Sequence, residues 1–182
     1  MTNRFRTLAL AAAMLLPSVS FAQATSTRPF GQGSRQLSVG ILTGGDYEGF
    51  GAGAQFEVGV KEFTPTLSLG IGAFGGYIKG DYGLFSDVSI TSTPIMGVGN
   101  LHLAIPSQPK LDLYAGASIG IVRWSYDLND NNYPGFDGAS DSEVGFGIQV
   151  GARYAFTERT MGFAQLGASD MPLLFAGLSF KF

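Results

Sequence analysis

An all-β fold is predicted here: an eight-stranded antiparallel up-and-down β-barrel that crosses a membrane with its strands. Three observations predict it. From Arg35 to the last residue, apolar side chains alternate with glycine or polar ones at every second position, the period of a strand. The alternating runs number eight, an even count that closes a sheet and abolishes its edges, and most reach the about 9–11 residues that a tilted strand needs to cross a bilayer. The joints between them alternate between short and long, so that short turns gather at one end and longer loops at the other.

In order, the runs are 35–43 (RQLSVGILT), 50–61 (FGAGAQFEVGVK), 66–79 (TLSLGIGAFGGYIK) and 88–105 (VSITSTPIMGVGNLHLAI), then 111–126 (LDLYAGASIGIVRWSY), 143–156 (EVGFGIQVGARYAF), 160–168 (TMGFAQLGA) and 173–182 (LLFAGLSFKF). Short joints fall at 62–65, 106–110 and 157–159, longer ones at 44–49, 80–87 and 127–142, and a very short fourth loop at 169–172. This asymmetry places both termini on the side of the short turns.

One face of each run suits lipid: Phe50, Phe56 and Val58; Leu67, Leu69 and Ile71; Leu111, Leu113, Ile119 and Ile121; Val144, Phe146, Ile148 and Val150. None of these is charged. The other face carries Gly51, Gln55, Glu57 and Gly59, or Gly145, Gly147, Gln149, Gly151 and Arg153, which points to a narrow, glycine-rich lumen. The fourth run departs from this rule, because Met96 and Val98 share a face with Asn100 and His102. Either a bulge or a partly apolar interior accounts for that. A soluble lipocalin-like barrel is the alternative fold, and it would put apolar side chains inside and polar ones outside.

Arg4 and Arg6, the apolar stretch LALAAAMLL at 8–16, Pro17 and the small residues around Ala22 and Ala24 form a secretory signal, so residues 1–24 are expected to be cleaved. Residues 25–34 (TSTRPFGQGS, counting from Thr25) read as a polar linker and 35–182 as the barrel domain. Removing Arg4 and Arg6 from the 11 basic residues leaves nine against 14 acidic ones, a net charge of −5 that disfavours nucleic acid as a partner. There is no cysteine, so stability in an oxidising compartment must come without disulfides.

The final strand LLFAGLSFKF, ending on an aromatic residue in an exported chain, together with Thr93-Pro94-Ile95-Met96 leading to Asn100-Leu101-His102 and then Leu113-Tyr114-Ala115-Gly116-Ala117-Ser118-Ile119-Gly120, resembles the small OmpA/OmpX-type outer-membrane β-barrel family. The resemblance implies an eight-stranded barrel in the outer membrane of a Gram-negative bacterium, with Phe180 and Phe182 in the strand read by the assembly machinery. Outer-membrane lipids and lipopolysaccharide would be its surroundings, and a monomer its default state. It implies no shared activity.

Two catalytic-looking patterns fail on physical grounds. Gly70-Ile71-Gly72-Ala73-Phe74-Gly75 fits a dinucleotide fingerprint, but strand alternation runs on into Tyr77 where a helix would have to begin. Gly116-Ala117-Ser118-Ile119-Gly120 fits a nucleophile elbow, yet the only histidine, His102, should lie opposite Tyr114, leaving Ser118 roughly 13 Å along the strand. No catalytic residue, cofactor or metal is therefore assigned.

Inward charges gather near the terminal end: Glu57, Lys61, Asp112, Arg153 and Lys181, with His102 beside them. They are expected to pair across the lower lumen as a plug, because a charge withdrawn from water needs a partner. Independently solvated charges in a wet mouth are the competing reading. Acid concentrates at the opposite end, in Asp46, Glu48, Asp81, Asp87, Asp127, Asp130, Asp137, Asp141, Glu143 and Asp170. Asp127, Asn129 and Asn131 copy the start of a calcium loop, but Gly138 stands where the bidentate carboxylate belongs, which leaves weak divalent bridging or plain solvation. Tyr77, Trp124 and Tyr126 at the loop end, and Phe63, Tyr154, Phe156, Phe180 and Phe182 at the terminal end, are expected as aromatic girdles. Arg123 has lipid-face parity past the apolar band, as a lipopolysaccharide phosphate ligand or an ordinary surface arginine. Functionally, this describes a structural or surface-interaction barrel; a small porin-like conduit for apolar solutes is the alternative, and a lipid-A-modifying enzyme a third reading.

Overall fold

The structure, a computed structural model, describes residues 28–44, 48–81, 88–128 and 139–182. The two-residue period becomes eight strands: β1 Arg35–Thr43, β2 Glu48–Thr64, β3 Leu67–Asp81, β4 Val88–Ile105, β5 Gln108–Leu128, β6 Ala139–Ala155, β7 Thr160–Ser169 and β8 Leu174–Lys181. Each pairs antiparallel with its neighbours in sequence, and β8 pairs with β1, so the sheet closes into a barrel with no crossover. Every interior backbone N–H and C=O can then bond within the ladder, the condition for spanning lipid.

Burial follows the parity of the sequence. On β6, Val144, Phe146, Ile148 and Val150 are 64%, 58%, 63% and 54% exposed while Gln149 and Arg153, of the opposite parity, are sealed inside. Ile71, Ile95, Ile119, Ile121 and Leu166 stand out from other strands in the same way. Apolar side chains outside and polar ones inside is the inverse of a soluble barrel, which disposes of the lipocalin-like alternative.

The short turns lie where expected, with Pro65 and Thr66 between β2 and β3 and Pro106 and Ser107 between β4 and β5. The Thr64 hydroxyl holds the first by accepting from the Leu67 amide at 3.0 Å. At the loop end the strands outrun their apolar stretches. The β5–β6 ladder continues to Tyr126↔Ala139, four residues beyond the expected start at Glu143, whereas β6–β7 stops at Gly147↔Ser169 and β8–β1 at Thr43↔Leu174. Residues 139–142 (ASDS) lack alternation, so nothing in them signals a strand; pairing with β5 extends them. The rim is therefore tall along β3 to β6 and low along β7, β8 and β1.

The interior has two halves. Toward the loop end, Leu42, Phe74, Ile78, Met96, Val98, Val122, Phe163, Met171 and Phe175 form one buried apolar cluster. Toward the terminal end the buried groups are polar. Pairing of β4 with β5 keeps one register from Val88↔Leu128 to Ala104↔Asp112, so Met96 and Val98 face inward with no bulge: the interior itself is partly apolar.

Candidate functional site

The polar half centres on four side chains from four strands. Glu57 on β2 accepts from Arg153 Nη2 on β6 through Oε2 at 2.7 Å. Its other oxygen, Oε1, faces His102 Nε2 on β4 at 2.7 Å and accepts from Asn100 Nδ2 at 3.0 Å. On the far side of the imidazole, Nδ1 lies 2.9 Å from Asp112 Oδ2 on β5, and that oxygen is 3.7 Å from Arg153 Nη1. All four charged or chargeable residues are 1% exposed.

Hydrogen-bond counting fixes much of the electrostatics. An ionised carboxylate only accepts, and a neutral imidazole has one N–H, yet both ring nitrogens of His102 meet carboxylate oxygens. The Glu57–His102–Asp112 trio must therefore hold one proton more than two carboxylates and a neutral ring. With Arg153 added, the buried set is electroneutral, which is what a low-dielectric interior requires. The network extends upward through Gln149 Nε2, which donates to Asn100 Oδ1 at 2.9 Å, and sideways through Tyr114, whose hydroxyl donates to Gln165 Oε1 at 3.1 Å. The guanidinium carbon of Arg153 sits 4.5 Å from the centroid of the Tyr114 ring. Glycine makes the room: a Cβ at Gly151 would collide with the Tyr114 ring, and one at Gly70 with the Glu57 carboxylate.

Of the six residues expected to pair here, Glu57, His102, Asp112 and Arg153 meet. Lys61 does not. A β-bulge shifts the β2–β3 register between Gly59 and Lys61, which turns Lys61 to the exterior, where its ammonium lies 5.2 Å from the Phe63 ring centroid. Glu62 takes the inward register instead and lies 3.7 Å from Arg28. Lys181 points into the mouth but pairs with no carboxylate among the described residues: its Nζ donates to the Arg28 carbonyl at 3.1 Å. Sequence reasoning missed Phe30, a lone aromatic in the segment expected as a linker, which is stacked on His102 with ring centroids 3.8 Å apart. Residues 28–34 thus belong to the barrel mouth; 1–27, with the expected signal peptide, lie outside the described residues.

Trp124 is also placed differently from expectation. It carries inward parity, packs against the apolar cluster, and its Nε1 donates to Glu143 Oε1 at 2.7 Å, so it is no lipid-facing girdle residue. Tyr126 shares that parity at the rim, opposite Ile90, and is 38% exposed. Tyr77, Phe63, Tyr154, Phe156 and Phe182 do stand on the outside, with the Tyr154 and Phe156 rings edge to face at 6.0 Å, while Phe180 is half-buried between Leu37 and Thr160. Arg123 is exposed with outward parity.

Ser118 lies in extended strand opposite Val98 and Gly147, with no elbow, and His102 is indeed opposite Tyr114. Gly70 to Gly75 likewise continue as β3. Among the acidic residues, Asp81 accepts from the Ser89 hydroxyl at 3.1 Å and Asp170 from the Phe146 amide at 2.8 Å. Asp46, Asp87, Asp130, Asp137 and most of the calcium-like stretch lie outside the described residues. No group of acidic or histidine side chains able to hold a metal occurs among the described residues.

Known structures share this architecture. Ail, the attachment invasion locus protein of Yersinia pestis, is similar over 83% of this chain and 99% of its own, with a TM-score of 0.55 at 12% identity. Neisserial surface protein A is similar over 82% of this chain and 94% of its own, with a TM-score of 0.51 at 18% identity. Identities this low speak for the fold alone. No curated protein sequence matches the chain. A family model described as outer membrane protein beta-barrel domain, however, matches residues 8–171. With eight antiparallel strands closed around a filled lumen and an apolar exterior of membrane-spanning height, this chain belongs to the outer-membrane β-barrel domain family.

Proposed function

We propose that this protein is a closed, non-conducting barrel whose role is structural or exerted at the cell surface, rather than a pore or an enzyme. The observation that carries the reading is the blocking of the lumen in both halves: an electroneutral ion-pair network in one and a packed apolar cluster in the other. Glycine-rich inward faces support a narrow interior, because their neighbours occupy the space a Cβ would need. Members of this family place short turns and termini in the periplasm, so the apolar half is the outer one.

The outer surface is then the face that meets the surroundings, and its acidic composition favours cationic partners or divalent bridging to lipopolysaccharide over polyanions. Arg123, outward above the apolar band, suits a lipid phosphate. A cleaved signal peptide over 1–24, recognition of Phe180 and Phe182 by the assembly machinery, and a monomeric state complete the proposal. Against an enzyme stands the separation of Ser118 from His102, whose two nitrogens are both engaged by carboxylates.

Single-channel recording of the refolded barrel in planar bilayers tests this reading. No steady conductance is expected; a stable open level, or flux of small apolar solutes into liposomes, would establish the conduit instead.

A further inference from the structure

Residues 28–34 fold into the mouth of the barrel. The Phe30 ring is 2% exposed, lies nearly parallel to the His102 imidazole at an interplanar angle of 19°, and has the Arg153 guanidinium carbon 5.7 Å from its centroid. The main chain around it is tied to both sides of the β8–β1–β2 wall. The Pro29 carbonyl accepts from Gln36 Nε2 at 2.7 Å and the Arg28 carbonyl from Lys181 Nζ at 3.1 Å. The Gly33 amide donates to the Gly59 carbonyl at 2.8 Å, and the Gly59 amide to the Ser34 carbonyl at 2.9 Å. Gly59 is the position that admits this approach, since a Cβ there would collide with the Gly31 carbonyl.

Beside and above Phe30 lie buried polar groups left unpaired among the described residues. Both amide atoms of Gln55, Gln36 Oε1, Gln149 Oε1, Gln165 Nε2, Ser118 Oγ and Arg153 Nε have no hydrogen-bond partner among the described residues, and all are buried. Donors and acceptors are both represented, the mixture that water satisfies, and unhydrated they would each carry a desolvation penalty. The apolar cluster with Met171 stands on the loop side of these groups, and the buried Phe30 ring stands on the terminal side.

We propose that residues 28–34 are a displaceable plug in the periplasmic mouth, and that unseating Phe30 opens the polar layer to periplasmic water and small polar solutes without opening a pore. The inference rests on the closed-lumen reading only for its outer half. The Phe30 ring, the Arg28–Glu62 ion pair and a handful of hydrogen bonds hold the segment, which has no strand ladder of its own, so its release is expected below global unfolding. The result is a one-sided chamber lined by amides and by Arg153, suited to water or a small hydrogen-bonding solute.

The absence of native cysteine makes the test direct. Ser38 is 2% exposed, one inward step above Gln36 on β1, with its hydroxyl 3.0 Å from that of Ser179. In Ser38→Cys, the sole thiol reports access of a charged methanethiosulfonate reagent to the layer. It should react slowly in the otherwise unaltered barrel and about tenfold or more faster when Phe30→Gly is added, because the rate follows the population of the open mouth. Lys181→Met, which loosens the Arg28 anchor without removing the ring, should give a smaller acceleration and serves if Phe30→Gly fails to fold. Equal rates with and without the plug substitutions, whether fast or slow, overturn the proposal. Conductance of the same samples reads the closed-barrel function separately: accelerated labelling without conductance is expected, and conductance of the unaltered barrel would defeat that function without touching the plug.

Discussion

The two halves of one lumen are held by opposite means. In the half nearer the termini, Glu57, His102, Asp112 and Arg153 reach the axis from four strands and meet at hydrogen-bond distances; each member depends on the others to be neutralised. In the half nearer the long loops, Phe175 packs edge-on against Phe74 and Phe163, with ring centroids 5.4 and 4.6 Å apart, and Leu42, Met96 and Val122 fill the rest. The first half depends on completeness, the second on volume. An incomplete ionic set leaves a charge stranded, whereas a trimmed apolar set leaves only a void.

The sharpest way to break the comparison is Arg153→Ala. Stranding Glu57 and Asp112 should destabilise the refolded barrel by about 3–5 kcal/mol in urea titrations monitored in lipid vesicles. The triple change Glu57→Gln, Asp112→Asn and Arg153→Met, which removes the charges together, should cost clearly less than that single one; a triple variant less stable than Arg153→Ala would end the completeness argument. Phe175→Ala in the outer half should cost about 3 kcal/mol through cavity formation, with no second substitution of charge able to restore it. Smaller again is Gly151→Ala, at about 1–3 kcal/mol from collision with Tyr114. Combining it with Tyr114→Leu should cost less than the two singles added, and strict additivity would show that the glycine is not there for the ring. Lys61→Ala should change stability by no more than about 0.5 kcal/mol, since the bulge holds Lys61 outside the network. A loss comparable to that of Arg153→Ala would return Lys61 to the cluster.

The strands were legible because lipid and lumen impose opposite chemistry on alternate residues, so Val144 to Val150 declared both period and orientation in the sequence. The ends were not: 139–142 are polar on both faces, and only the β5 ladder makes them strand. Lys61 was misread because one extra residue in a bulge inverts parity without a compositional mark. The pairing of Glu57 with His102 and Arg153 joins residues 45 and 96 positions apart across the lumen, a proximity that exists only after closure. Phe30 had a signal, a single large apolar side chain in an otherwise polar stretch, but nothing in that stretch says where the ring docks.

The uneven rim bears on the order in which the barrel is made. The β4–β5 hairpin pairs almost without interruption from Val88↔Leu128 to Ile105↔Gln108, a local contact, whereas the β8–β1 seam joins the most distant parts of the chain through the eight pairs from Gln36↔Lys181 to Thr43↔Leu174. Local ladders zip quickly and distant ones slowly. The tall wall is therefore expected to form first and the low seam last, and because Phe30 is anchored to Gln36 on one side of that seam and, through Arg28, to Lys181 on the other, its seating becomes the final event of maturation.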